Sequence, residues 1–262
     1  MPVSLLASDV TLGYDQSPVI TGLSLDVPDH SFTIVIGPNA CGKSTLLRGL
    51  ARLLAPTAGA VLLDGQSIQR QKSKDVAKRL GLLPQSSLAP DGITVADLVA
   101  RGRFPHQHAL RTWSRDDEAA VAAAMAATNV TELSRRLVDE LSGGQRQRVW
   151  VAMALAQQTG HLLLDEPTTF LDIAHQIDLM ELFAELHRGG TTLVAVLHDL
   201  NHAARYASHL VAMRDGEIVA QGEPREIITE QIVEAVYDLP CRVITDPVSG
   251  TPLVLPLGGR RP

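Results

Sequence analysis

Short apolar stretches alternating with turn residues open the chain, and residues 5–12, 19–27 and 32–36 are predicted as strands. A glycine-bearing turn separates the third of these from residues 46–54, whose pattern predicts a helix. Residues 60–63 predict a short strand ended by Asp64-Gly65, a tight-turn dipeptide. Beyond Pro84 the pattern changes, and residues 94–158 hold few strand signals and many helix formers. Thr94, Ser114 and Ser142 are placed as helix N-caps, ahead of helices through Ala100, over 114–127 and over 142–158. Asp116, Asp117 and Glu118 suit the positive end of the second helix dipole. Strands then return: 162–164, wholly apolar as in a strand buried on both faces, 192–197, and 209–213 with 217–220 around Asp215-Gly216. Helices over 173–187, ended by Gly189-Gly190, and over 200–206 alternate with them. The alternation predicts an α/β fold with a mostly parallel sheet, its core over 1–89 and 159–262, interrupted by a helical insert over 90–158.

Length and charge narrow the partners. At about 150 residues per domain, 262 residues suit one interrupted domain or two small ones. Lys and Arg number 23 against 29 Asp and Glu, and the formal charge of −6 disfavours a broad basic face for duplex DNA. Aromatic residues at 3% argue against stacking platforms for single strands. Cys41 and Cys241 are too few for a disulfide framework, so a reducing compartment is expected. No apolar run approaches the roughly 18–20 residues that span a bilayer. The opening residues lack a charged region ahead of an apolar core, so no secretory signal is expected.

Three segments carry chemistry. Gly37-Pro38-Asn39-Ala40-Cys41-Gly42-Lys43-Ser44-Thr45 is a G-x-x-x-x-G-K-S loop directly after a predicted strand and before a helix. Small residues let backbone N–H groups turn inward onto phosphate oxygens, and the helix adds its dipole. Lys43 can reach the β- and γ-phosphates and the Ser44 hydroxyl can ligand Mg²⁺. Leu162-Leu163-Leu164-Asp165-Glu166 delivers two carboxylates at a strand end, where ligands of parallel sheets bind. Asp165 can hold Mg²⁺ and Glu166 can polarise water. Leu141-Ser142-Gly143-Gly144-Gln145 is a second anion-binding device, and a helix cap requires only its serine. Two such devices make sense if a nucleotide is clamped between the loop of one chain and this segment of a second.

With these segments in place, the chain resembles the nucleotide-binding subunits of ATP-binding cassette (ABC) transporters over nearly its whole length. The resemblance implies a P-loop NTPase core with an N-terminal antiparallel β subdomain and an inserted α-helical subdomain carrying the signature. It implies that Tyr14 stacks on adenine and that Gly37 to Thr45 form the Walker A loop. Gln85, in Leu82-Leu83-Pro84-Gln85, matches the Q-loop glutamine that touches Mg²⁺ and senses the membrane subunit. Ser142, Gly143, Gly144 and Gln145 match the signature facing the opposite ATP, and Asp172 matches the D-loop. Asp165 and Glu166 match the Walker B aspartate and catalytic glutamate, and His198 the switch histidine at the γ-phosphate. Glu166, His198 and Gln85 are thus the expected catalytic residues, with Ser44, Gln85 and Asp165 around Mg²⁺. Ala40 and Cys41 depart from the commonest loop, which has glycine and a small hydroxyl residue there; Cys41 makes the loop a candidate for thiol sensitivity.

Other features read as structural. His198 and His202, four apart, could share a helix face but lack a third metal ligand. His161 replaces an apolar residue at the Walker B strand, and Arg135, Arg136, Arg146 and Arg148 read as a solvated or interface face. Four stretches (101–106, 168–176, 198–206 and 241–247) resemble ATPases that energise uptake of ferric siderophores, with haem and cobalamin importers as relatives. The implied partners are a second copy in a head-to-tail dimer, polytopic permease subunits and, indirectly, an extracytoplasmic siderophore-binding protein, with no nucleic acid. The implied place is the cytoplasmic face of the cell membrane. A soluble ABC ATPase of DNA repair or translation is the rival, and it would carry a coiled-coil arm, a zinc module or a second cassette. An ordinary P-loop kinase or GTPase leaves the 141–145 signature unexplained.

Overall fold

The computed structural model describes residues 3–15, 17–85, 88–107 and 113–258; residues 1–2 of the opening segment, read above for a secretory signal, lie outside them. In chain order the elements begin β1 (Val3–Tyr14), β2 (Ser17–Pro28), β3 (Phe32–Ile36), α1 (Lys43–Leu50), β4 (Ala58–Leu63), β5 (Gln66–Ser67), α2 (Ser73–Ala77) and β6 (Leu80–Leu83). They continue α3 (Val95–Ala100), α4 (Arg115–Ala127), α5 (Gly143–Ala156), β7 (His161–Asp165), α6 (Ile173–Arg188), β8 (Thr192–Val196) and α7 (Leu200–Tyr206). The last are β9 (His209–Arg214), β10 (Glu217–Gly222), α8 (Pro224–Ile227), α9 (Glu230–Tyr237), β11 (Cys241–Thr245) and β12 (Pro252–Pro256). The chain divides into two units, one of residues 1–71 and 192–262, the other of residues 72–191.

In the first unit, β2, β1, β4 and β5 form an antiparallel sheet. Asp64-Gly65 makes the β4–β5 turn, as expected, with Asp64 at φ 51° and Gly65 at φ 73°. A second sheet has β3 between β8 and β9, parallel to both, and β10 antiparallel at its edge. Every residue of β3 and β8 is buried, the signature of parallel strands covered on both faces. Helix α1 begins at Lys43, ahead of the expected 46–54, and ends at Leu50, short of it, because Arg52 turns into the left-handed region at φ 64°. In the C-terminal portion, β11 and β12 form an antiparallel pair. Asn201 of α7 treats β12 as a strand partner, its Nδ2 donating to Val254 O and its Oδ1 accepting from Val254 N at 2.7 Å.

The second unit pairs β6 with β7 in parallel, Leu83 opposite Leu164, and surrounds them with helices. The expected caps are present. Thr94 accepts from Asp97 N, and Ser114 and Asp117 form a reciprocal capping box at α4. Arg103 enters this unit as a buried cation: Nε meets Asp117 Oδ1 at 2.9 Å, and Nη1 donates to Ala156 O and Gln158 Oε1, each at 2.9 Å. Next to it, a Cβ on Gly102 would stand 2.2 Å from Met153 O, so only glycine allows this approach to α5. Motif 101–106 is therefore built into the packing of the helices. His161 Nδ1 lies 3.3 Å from Arg79 O, consistent with its structural reading. Arg135 and Arg136 are exposed, whereas Arg146 and Arg148 are half-buried, so the basic cluster is not one solvated face.

Candidate nucleotide site

The phosphate loop leaves the C-terminal end of β3 in the first unit. Gly37 adopts φ 153°, and a Cβ there would lie 2.2 Å from Met213 O of β9, so the loop starts where no side chain fits. Ala40 holds φ 62°, a left-handed conformation that costs an alanine about 1 kcal/mol. This explains why the commonest form of the loop has glycine there, and the smallest side chain limits the strain. Gly42, at φ 105°, is the N-cap of α1 and offers no side-chain acceptor, so no capping side chain competes with an anion at this helix N-terminus. Lys43 is 5% exposed, and its Nζ donates to Gly37 O at 2.9 Å and Pro38 O at 2.7 Å. Its charge is thereby fixed in the loop rather than in solvent. Uncapped N–H groups and a buried ammonium fit a polyphosphate.

Cys41 corrects the expectation of thiol sensitivity. It is 3% exposed, and burial pushes its thiol pKa up although Lys43 opposes this, so the reactive thiolate is suppressed. Cys41 and Cys241 are both free. Tyr14, at the end of β1, is 42% exposed, and its hydroxyl accepts from Arg48 Nη1 of α1 at 3.0 Å. The ring is thus held near α1 with its surface accessible. His198 is exposed between β8 and α7 rather than on the helix, so it does not share a helix face with His202. His202 instead stacks edge-on against Tyr206, at 6.4 Å between ring centres. Asp199 caps α7 by accepting from Asn201 N and His202 N.

In the second unit, the parallel register brings the ends of β6 and β7 side by side, and with them Gln85 and Glu166. Gln85 Nε2 donates to Glu166 Oε2 at 2.8 Å, and Thr169 Oγ1 approaches the same oxygen at 3.4 Å. Glu166 occupies the left-handed region at φ 50°, directly after Asp165, which is buried at 2% exposure. Such strain at a non-glycine residue is characteristic of functional positions. Strand β6 itself was not anticipated from the sequence pattern. Thr169, the further ligand of Glu166, was also missed, because a threonine in a turn carries no spacing signal. Within this unit Gln85 and Asp165 both carry oxygen donors, the type of ligand a hard cation such as Mg²⁺ takes.

The signature segment is partly explained by capping, more than the sequence reading allowed. Ser142 Oγ accepts from Gln145 N at 3.3 Å and Gln145 Oε1 accepts from Ser142 N at 3.1 Å, a capping box at α5. The box accounts for Gln145 as well as Ser142 and leaves the two glycines. Gly143 lies 3.7 Å from Phe170 Cβ and Gly144 3.3 Å from Leu171 Cδ2, measured from an ideal Cβ, so larger residues would crowd the 170–171 turn. Gln147 Nε2 of the same helix donates to Pro167 O at 3.0 Å, tying α5 to the turn beyond Glu166. Asp172 caps α6: its Oδ1 accepts from His175 N at 2.9 Å and lies 2.8 Å from His175 Nδ1, which holds the carboxyl below its usual range. Phe170 and Ile173 on either side are each 78% exposed, a concentration of apolar surface beside the signature.

A phosphate loop, paired strand-end carboxylates and a signature helix on an α/β scaffold define an ABC ATPase cassette. The family model for the ABC transporter domain matches residues 20–169, and the chain belongs to this family. It is 58% identical to the ferric enterobactin transport ATP-binding protein of Escherichia coli (strain K12), over 98% of this chain and 96% of that protein. It is 50% identical to a probable siderophore transport system ATP-binding protein of Bacillus subtilis (strain 168), over 100% of this chain and 96% of that one. A solved structure described as an inward-facing metal-chelate type ABC transporter superposes with a TM-score of 0.82 at 28% identity, covering 98% of each chain. A dimeric bacterial ABC transporter cassette gives a TM-score of 0.76 at 25% identity, covering 84% of this chain and 99% of that one.

Proposed function

We propose that the chain is the ATP-hydrolysing subunit of an importer that carries a ferric siderophore across the cytoplasmic membrane. The observation that carries the ATPase reading is the loop of residues 37–45, with its uncapped helix N-terminus and buried Lys43. The likeness to siderophore transport proteins along almost the entire chain supports the cargo. Two copies pair head to tail, and each ATP lies between the Walker A loop of one and residues 142–145 of the other. Exposed Phe170 and Ile173 suit that contact. Tyr14 stacks on adenine, and Glu166 orients the attacking water. His198 supports the transferred phosphoryl group. Mg²⁺, when bound by Ser44, Gln85 and Asp165, neutralises phosphate charge. Asp172 lies in the D-loop at the same dimer contact, and residues 90–158 form the helical insert that carries the signature. Gln85 reports the state of the permease subunits, which hold the chain peripherally at the cytoplasmic face. An extracytoplasmic binding protein delivers the siderophore to them.

Glu166→Gln keeps the hydrogen-bonding shape but removes the base. The variant is expected to bind ATP and accumulate as a dimer, with turnover reduced at least about 100-fold. Normal turnover would remove Glu166 from this role. Growth of a deletion strain on individual iron sources tests the cargo; unimpaired use of every ferric siderophore rejects it and leaves the ATPase reading standing. A haem importer is the second reading, favoured by 44% identity to a hemin import ATP-binding protein of Nocardia farcinica (strain IFM 10152) over 91% of this chain. Loss of growth on haem alone selects it.

A further inference from the structure

The floor of the phosphate loop is built by residues far beyond it in sequence. Gly216 N, in the β9–β10 turn, donates to Cys41 O at 3.0 Å, and the backbone of Met213 occupies the space that a Gly37 side chain would need. Helix α9 ends beside the same region. Asp238, its C-cap at φ 52°, receives a two-pronged contact from Arg214 of β9, Nη1 to Oδ1 at 3.0 Å and Nη2 to Oδ2 at 2.8 Å. Arg214 also donates to Ala235 O, so a cation caps the negative end of α9. This clamp fixes Tyr237, the last residue of the helix. The Tyr237 hydroxyl is buried, lies beside the Gly37 backbone, and closes no hydrogen bond of normal geometry among the described residues. Burial pushes its pKa up, so the phenol stays neutral. All of these C-terminal residues lie outside the 20–169 segment matched by the family model.

A buried hydroxyl without a partner is a standing cost to the fold. Its position indicates where the cost is recovered, because the Gly37 N–H already acts on the phenol oxygen without closing a normal hydrogen bond, and tightening of the loop would complete it. We propose that Tyr237 is a positioning residue for nucleotide binding, whose hydroxyl accepts from the Gly37 N–H when the loop tightens around phosphate. The clamp of Arg214 on Asp238 holds it in place for that purpose. The idea rests on residues 37–45 being the ATP site and adds a C-terminal support to that site. A preformed acceptor lowers the ordering cost that the nucleotide must otherwise meet.

Tyr237→Phe removes one oxygen and keeps the ring, so packing is preserved. The full-length wild type, Tyr237→Phe and Lys43→Ala are titrated calorimetrically with AMP-PNP and Mg²⁺, and their nucleotide-free thermal unfolding is compared. Tyr237→Phe is expected to bind about fivefold more weakly, the worth of one ordinary hydrogen bond, while its nucleotide-free stability stays level or rises. In steady state the KM for ATP rises by a similar factor and kcat is unchanged. A merely structural tyrosine would lower stability and affinity together, and that result overturns the proposal. Unchanged affinity in Tyr237→Phe overturns it too. A wild type that fails to bind AMP-PNP, or a Lys43→Ala variant that binds as well as wild type, removes the ATP-site reading and the proposal with it.

Discussion

Arg103→Met tests how far the second unit depends on one buried cation. The side chains of Arg103 and Asp117 are only 6% and 9% exposed, and methionine replaces the aliphatic stem while deleting the charge. Three hydrogen bonds are lost, to Asp117, Ala156 O and Gln158. Breaking a buried pair by removing one partner typically costs about 3–5 kcal/mol, since the remaining charge is left in a poor solvent. Asp117 keeps its hydrogen bonds from Ser114 N and Oγ, at 3.1 and 2.7 Å, which places the expected loss at the lower end, about 3 kcal/mol. Urea unfolding followed by circular dichroism measures it. Adding Asp117→Asn neutralises the stranded carboxylate, and the double variant is expected to regain at least about 1 kcal/mol over Arg103→Met. If the second change destabilises further, the loss arises from packing and the electrostatic account is wrong. Acid titration offers an independent check. Ser114 first and Arg103 second hold the Asp117 carboxyl at about 2 against its ordinary 3.8. A depressed acid stabilises the fold above its unfolded pKa, so this contribution is complete above pH 3.8 and is lost as pH falls toward about 2. Arg103→Met should flatten that acid limb.

The loop supports two further expectations. Gly37→Ala forces a Cβ to 2.2 Å from Met213 O, so ATP affinity should fall at least about 100-fold while far-ultraviolet circular dichroism is retained; near-normal binding refutes the steric account. Because Cys41 is buried and its pKa raised, N-ethylmaleimide at neutral pH should label it at least about tenfold more slowly than free cysteine, with the rate climbing only in alkali. Fast labelling at pH 7 contradicts the buried geometry.

The larger part of the fold was legible because its signals are local. Asp64-Gly65 and Asp215-Gly216 mark turns through their own conformational preferences, and Thr94, Ser114 and Ser142 announce helices through their own side chains. Strand β6 was not legible, since its four-residue apolar run has no period and lacks a turn dipeptide such as the Asp64-Gly65 that marks 60–63. In the C-terminal portion α8, β11 and β12 are too short to print a period, whereas α9 has an apolar face and a Thr229 cap that went unread. Among candidate site residues, those in contiguous motifs can be singled out from the sequence and those recruited through space cannot. Tyr237 reaches the phosphate loop by tertiary placement, which no spacing encodes, whereas Thr169 is only three residues from Glu166 and went unread because a threonine in a turn has no periodic signal. Gln145 had the opposite history: it was assigned to the signature, although S-x-x-Q at a helix start has its own explanation in capping.

The position of β3 has a consequence for how the protein is made. Its strand neighbours are β8 and β9, at residues 192–196 and 209–214, so the strand that launches the phosphate loop emerges from the ribosome long before either. At about 5–20 residues per second, some ten to thirty seconds of translation pass with both edges of a strand that is apolar except for Thr33 open. The 72–191 segment is synthesised within that interval. Nascent chains are therefore most exposed to strand-to-strand aggregation while the catalytic loop is already encoded but cannot yet be shaped.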